Sequence, residues 1–371
     1  MKIILHIGAW KTGSSAIQLF MSEAQEALRA HGAATFADAS SKDGQQLMLR
    51  RLCEPDEEAA KLVAEIEGFK AAGVQTFVLS NEHFWPLPMH SIQKMGERLG
   101  AISDDVRVLI YIRPQDEMWR SLYAQQAKKF YVRTGAALWG TNDFLPSVFA
   151  ERALHYHQTL QLFADVFGQE AIAVRHYDRG AFAGGDIVTD FLSFLGLDWT
   201  KFERRDRDVN RSAGWKGVAF AIWLADEVAT AFRERNPREA LNLTYFRTVS
   251  YLARKFDDGD WFGRGADPLT TEDKAAIRAH YEADNQLLYR VYFNGVEVFP
   301  PPAEGRGDPV APGAVPKREM NVAKRQFRRF AVEHGYKLDG VEDLFTPQPL
   351  THAKPRQRPL SNIWPFRAQK H

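Results

Sequence analysis

The sequence predicts an α/β protein, a parallel sheet flanked by helices on both faces. Short apolar strand candidates alternate with stretches of helical spacing up to about Pro300. Strands that are apolar on both faces need cover on both sides, which is the habit of parallel sheets. Size agrees: 371 residues, 45% hydrophobic and 26% charged, are ample for a buried core.

The elements follow in order. Lys2 to Ile7 reads as a short buried strand. Ser14 to His31 reads as a helix with Ile17, Phe20, Met21, Ala24 and Leu28 on its apolar face. Glu57 to Ala72 has helical spacing, and Thr76-Phe77-Val78-Leu79 is a β-branched and aromatic run between polar residues. Val106 to Ile112, Val-Arg-Val-Leu-Ile-Tyr-Ile, is the strongest strand. A helix is predicted from about Pro114 to Phe130, with proline and two acids in its first turn, where they suit the helix dipole. Ile172 to Val174 is a further strand and Asp186 to Leu195 a short helix. Beyond Ser212 only helices are predicted. One of them starts behind Thr270 with Asp273 three residues on, a capping pair, and carries Tyr281, Leu288 and Tyr292 as core positions.

Charge and composition narrow the function classes. The chain has 48 Lys+Arg and 47 Asp+Glu, a net of +1, so nothing in the whole-chain charge points to nucleic acid. A single cysteine, Cys53, excludes an intrachain disulfide and a zinc site of paired thiolates. No apolar run reaches the roughly 20 residues of a membrane span. The apolar stretch at Met1 to Leu5 is too short for a signal peptide, so a cytoplasmic setting is expected. The oligomeric state is not legible. Eleven of the 18 prolines lie from Pro300 onward, and residues 301–371 hold 13 Lys+Arg against 7 Asp+Glu, a net of +6. Residues 1–299 are expected to form the α/β domain and 300–371 a Pro-rich, basic, poorly ordered tail, with one short helix near Val322 to Val332. Lys317, Arg318, Lys324, Arg325, Arg328 and Arg329 suit an anionic glycan or the negative face of a membrane, or form a solvated linker with no partner.

The chemistry gathers after the first strand. Gly8-Ala9-Trp10-Lys11-Thr12-Gly13-Ser14-Ser15 joins that strand to a helix, so backbone N–H groups meet the positive helix end beside a lysine and paired hydroxyls. This is a phosphate cradle; the plainer alternative is an ordinary turn whose serine caps the helix. An ATPase loop places its lysine after the second glycine. Here Lys11 precedes Gly13 and Ser14 takes the lysine position. The strongest strand ends in Arg113 rather than in the Asp that would hold magnesium. The loop is thus of P-loop type but suited to a phosphate-like group with no dedicated metal.

Lys11-Thr12-Gly13-Ser14-Ser15 resembles the 5′-phosphosulfate loop of the sulfotransferases that use 3′-phosphoadenosine 5′-phosphosulfate (PAPS). Arg113 at a strand end, with Ser121 eight residues later in Trp119-Arg120-Ser121-Leu122-Tyr123, resembles the family's 3′-phosphate motif. The similarity extends over about residues 1–295, nearest the bacterial, carbohydrate-acting branch. It implies a PAPS-binding set of Lys11, Thr12, Gly13, Ser14, Ser15, Arg113 and Ser121. It also implies catalytic roles for Lys11 and for a base at Glu82 or His83, within Ser80-Asn81-Glu82-His83. Glu82 is favoured, because that stretch resembles the bacterial relatives. Read without the family, Arg113 is a fork for a phosphate or a partner of Asp116 or Glu117, and Glu82 is a crevice base or an exposed loop acid. The segment Val209-Asn210-Arg211-Ser212 resembles a family stretch that closes over the nucleotide. Asn210-Arg211-Ser212 and Asn242-Leu243-Thr244 match the glycosylation pattern by accident. His155 and His157 stand two apart, the wrong spacing for one helix face, so no metal site is implied.

The expected activity is therefore transfer of a sulfuryl group from PAPS to a hydroxyl or amine of a carbohydrate or glycolipid. The alternatives are a P-loop nucleoside or small-molecule kinase, and a non-catalytic protein that binds the 3′,5′-bisphosphate PAP or a glycan.

Overall fold

In the computed structural model, residues 1–38, 40–53, 56–85, 87–127, 153–203, 213–224, 259–261 and 263–336 are described. The segments Val209 to Ser212 and Asn242 to Thr244, and the end of the helix expected to reach Phe130, lie outside them.

Five strands form one sheet: β1 (Lys2–His6), β2 (Ala33–Ala34), β3 (Thr76–Ser80), β4 (Val106–Ile112) and β5 (Ile172–His176). All pairings are parallel and the order is β2-β3-β1-β4-β5. The α/β class expected from the sequence is the one observed. On one face Ile4, Val78, Leu109 and Tyr111 join Ile17 and Met21 with Phe191 and Leu192 of the helix Ile187–Phe194. On the other, Ile3, Leu5, Phe77, Leu79, Val108 and Ile110 are equally buried, and Phe77 meets the rings of Phe36 and Phe69. Burying each such side chain stabilises the fold by roughly 1.5–3 kcal/mol, and doing so on both faces explains why the strands read as unbroken apolar runs.

The helices before and after β3 are α1 (Ser14–Glu23), α2 (Gln25–Ala30), α3 (Lys42–Cys53), α4 (Asp56–Ala71) and α5 (Met89–Ile102); α6 (Gln115–Ala127) follows β4. The single helix expected over Ser14 to His31 is two, because the backbone leaves helical geometry at Ala24 (φ −101°, ψ 21°). Strand β5 continues two residues beyond Val174. The predicted capping pair is present: Thr270 N–H donates to Asp273 Oδ2 (3.0 Å) and Asp273 N–H to Thr270 Oγ1 (3.2 Å), opening the helix Thr271–Tyr292.

Contacts divide the chain into two units. Among the described residues the first holds 1–118, 153–203 and 277–301, and the second holds 119–127, 213–224, 259–261, 263–276 and 302–336. In the second unit the helix expected near Val322 runs Lys317–Glu333 and buries Met320, Ala323, Phe327 and Ala331. Phe327 lies 6.5 Å from the ring of Phe220, and Trp261 Nε1 donates to Glu319 Oε2 (2.9 Å). Among the described residues no helix is long and apolar enough to cross a membrane.

Candidate active site at the carboxyl edge of the sheet

Strand order assembles the site. Strand β1 is central, with β3 and β4 as its neighbours, so the segments leaving all three emerge side by side at the carboxyl edge. In an open α/β sheet that is where ligands bind. These segments contain the lysine loop after β1, Asn81-Glu82-His83 after β3 and Arg113 after β4.

The lysine loop is tightly wound. Gly8 has φ 39°, and a Cβ there would sit 2.7 Å from Ser14 Oγ. Gly13 has φ 82° as the residue before α1, and a Cβ there would lie 3.1 Å from both Ile187 and Tyr177. Lys11 also lies in the left-handed region, at φ 66°. Glycine would adopt that conformation at less cost, so the loop keeps a lysine against a backbone penalty. Thr12 is fully buried, and its hydroxyl donates to the Ala9 carbonyl at 2.5 Å. Thr12 therefore braces the loop, whereas Lys11 and Ser15 are exposed. Ser14 is 3% exposed and its Oγ has no hydrogen-bond partner. A buried hydroxyl without a partner at the first residue of a helix, beside the orphan N–H groups of the first turn, suits an anion.

Arg113 ties the second motif to the first. Its Nη1 donates to the Lys11 carbonyl (3.3 Å) and its Nη2 to Glu117 Oε2 (2.6 Å). Its guanidinium lies 5.6 Å from the Tyr177 ring centroid, and its backbone carbonyl accepts from Tyr156 Oη at 2.7 Å. Arg113 Nε is buried without a hydrogen-bond partner. Of the two acids that could have neutralised Arg113, Glu117 does so, while Asp116 is held by Arg278. Ser121 lies on α6, partly buried.

The third segment carries the two candidate bases. Asn81 caps a short 3-10 turn, Glu82–Phe84, by accepting the His83 N–H on its side chain (2.9 Å). The turn sets the Glu82 Cα 3.7 Å from where a Gly8 Cβ would stand, against the lysine loop. Glu82 is partly buried there and His83 is exposed.

Beneath these segments runs a polar network that pattern reading missed. His6 Nδ1 lies 2.8 Å from Ser80 Oγ, Gln18 and Gln45 donate to the Ser80 carbonyl (3.4 and 3.2 Å), and Asn81 Nδ2 donates to the Gln45 carbonyl (2.8 Å). Complete burial pushes His6 down to about 4, so it is neutral at ordinary pH. On the far side of β1 the buried Tyr111 hydroxyl donates to Asp190 Oδ2 (2.8 Å), which Arg175 grips with two bonds of 2.7 and 2.6 Å. Burial alone would raise the Asp190 carboxyl, but these bonds and the Ala183 N–H hold it below its usual range. Burial and the Asp190 charge push the Tyr111 phenol up. Asp190 thus stays an anion that fixes the turn before Ile187, the residue packed on Gly13. Residues this far apart in sequence carry no local signal of such a cluster.

No group of three or more His, Cys, Asp or Glu suited to a metal ion occurs among the described residues. No family model matches the chain. A protein of Archaeoglobus fulgidus, described only as uncharacterized, is 23% identical over 222 residues, which is 60% of this chain and 55% of that protein. The chain thus spans about half the length of the curated relative it matches. Among solved structures, a sulfotransferase from Alicyclobacillus acidocaldarius aligns over 65% of this chain and 98% of its own, at 16% identity and a TM-score of 0.34.

Proposed function

We propose that the chain is a PAPS-dependent sulfotransferase whose acceptor is a hydroxyl or amine of a carbohydrate or glycolipid. One observation carries this reading: Arg113, after β4, donates to the carbonyl of Lys11 in the loop after β1, and Arg113 Nε and Ser14 Oγ of that loop's helix are both buried and unsatisfied. Two anion-seeking groups that a nucleotide bisphosphate would satisfy are therefore joined in one structure.

In this mechanism the acceptor oxygen bonds to sulfur as the bond from sulfur to the phosphate oxygen breaks. Glu82, against the loop, takes the proton the acceptor loses. Lys11 stabilises the negative charge left on the departing phosphate oxygen. Ser14, Ser15 and the first-turn N–H groups of α1 orient the phosphosulfate, Thr12 and Gly13 keep the loop wound, and Arg113 with Ser121 holds the 3′-phosphate. His83 is the second candidate for the base.

The test is incubation with sulfur-labelled PAPS and extracts fractionated into glycan, lipid and small-molecule pools. Label is expected in the glycan or glycolipid pool, and its transfer is lost with Lys11→Ala. Binding of PAP with no transfer to any pool would indicate a non-catalytic binding protein, and magnesium-dependent ATP turnover a kinase.

A further inference from the structure

Resting on the donor reading above, we infer that Glu117 is the counter-ion a 3′-phosphate must displace from Arg113. Its carboxylate then sets how tightly the nucleotide is held and how fast spent nucleotide leaves.

The geometry leaves Arg113 half committed. Glu117 takes one Nη2 bond, the loop carbonyl takes one from Nη1, and Nε has no partner. The arginine does not depend on Glu117 for its place, because the Tyr177 ring lies under the guanidinium and Tyr156 holds the backbone carbonyl. The two partners differ in burial: the Arg113 side chain is 13% exposed and that of Glu117 is 37%. Glu117 can therefore swing into water at little cost, whereas Arg113 cannot. Because the Glu117 carboxylate is more than a third exposed, water screens the pair and keeps it weak. A terminal phosphate carries more charge than a carboxylate and can engage two edges of the fork, Nε included. Asp116 does not compete, since it is buried and paired with Arg278. The strand-end arginine thus rests in a neutralised state, and nucleotide entry is an exchange of one anion for another.

Calorimetric titration of the full chain with PAP and with adenosine 5′-monophosphate, which lacks only the 3′-phosphate, tests this. Glu117→Gln should bind PAP roughly two- to five-fold tighter, the scale of a weak competing ion pair, and release it correspondingly more slowly in a displacement experiment. Binding of the monophosphate should not change. In an Arg113→Ala background the gain should vanish, an outcome that a merely structural role of Glu117 does not produce. Glu117→Asp, which retracts the carboxylate by one methylene, should move PAP binding the same way by less. Weaker PAP binding in Glu117→Gln, equal tightening of both nucleotides, or a gain that persists without Arg113 would each overturn the inference. Failure of the parent protein to bind PAP would overturn the donor reading itself, and the inference with it.

Discussion

The two ends of the same sheet are built differently. At the amino edge polar groups find protein partners: Lys2 N–H donates to the Gln75 carbonyl (2.8 Å), Ile3 N–H to that of Asp105 (2.9 Å) and Lys70 Nζ to that of Ile102 (3.1 Å). Arg107 there is satisfied by Asp105 (2.8 Å) and the Glu170 carbonyl (3.0 Å). A cavity of about 420 Å³, lined by Arg29, Glu65, Phe69 and Val74, opens on that side and gathers no convergent hydroxyls or catalytic pair. At the carboxyl edge a lysine is held in a left-handed conformation, and His6 Nε2, Ser14 Oγ and Arg113 Nε are buried without hydrogen-bond partners. Native proteins rarely leave such groups unsatisfied without a functional reason. On the proposed reading, one end of the sheet serves stability and the other a ligand.

The largest effect that would break this contrast belongs to the base. Glu82→Gln should lower the transfer rate by about 10²–10⁴ while PAP affinity stays at the parent value, read by steady-state kinetics beside calorimetry. His83→Ala should do far less; the reverse pattern would move the base to His83. Lys11→Gly comes next. It relieves the left-handed backbone, so the thermal midpoint should hold or rise, yet transfer should fall by roughly two to three powers of ten. Arg113→Ala should weaken PAP by roughly 1.5–3 kcal/mol, about 10- to 150-fold, and leave adenosine 5′-monophosphate unaffected.

Much of this architecture was legible, because β1, β3 and β4 are apolar on both faces and the lysine loop is contiguous in sequence. Strand β2 was not, since Ala33 and Ala34 have no strand preference and extend only through pairing with Thr76 and Phe77. The spacing of Ile92, Met95, Leu99 and Ile102 in α5 is a clear helical signal that the reading of motifs passed over. In the basic segment the charges and prolines masked a second signal, Met320, Ala323, Phe327 and Ala331, the buried stripe of its helix. Sequence places Glu82 and His83 side by side and favours Glu82 by resemblance alone; that Glu82 is partly buried and His83 exposed is visible only in the fold. The support beneath them, His6 with Ser80, Gln18 and Gln45, spans 74 residues and exists only in the fold.

That support predicts a smaller, pH-dependent effect. His6 falls from 6.5 to about 4 on burial. Between those values the unfolded chain binds the proton more readily, so stability should rise with pH from 4 to 6.5 and then level. Denaturant titrations at several pH values should show this rise, and His6→Asn should flatten it. The smallest effect is expected at the opposite edge. Arg107→Ala, an exposed site, should change stability by no more than about 0.5 kcal/mol and leave PAP binding intact.

The contrast between the two edges is tested most directly by hydrogen–deuterium exchange with and without PAP. Bound nucleotide should slow exchange at residues 8–17, where the lysine loop enters α1, and around residues 113–121. Residues 73–76 and 103–107 at the amino edge should exchange as before. Protection confined to the amino edge, or no protection at residues 8–17 under saturating PAP, would contradict the assignment of the carboxyl edge as the nucleotide site.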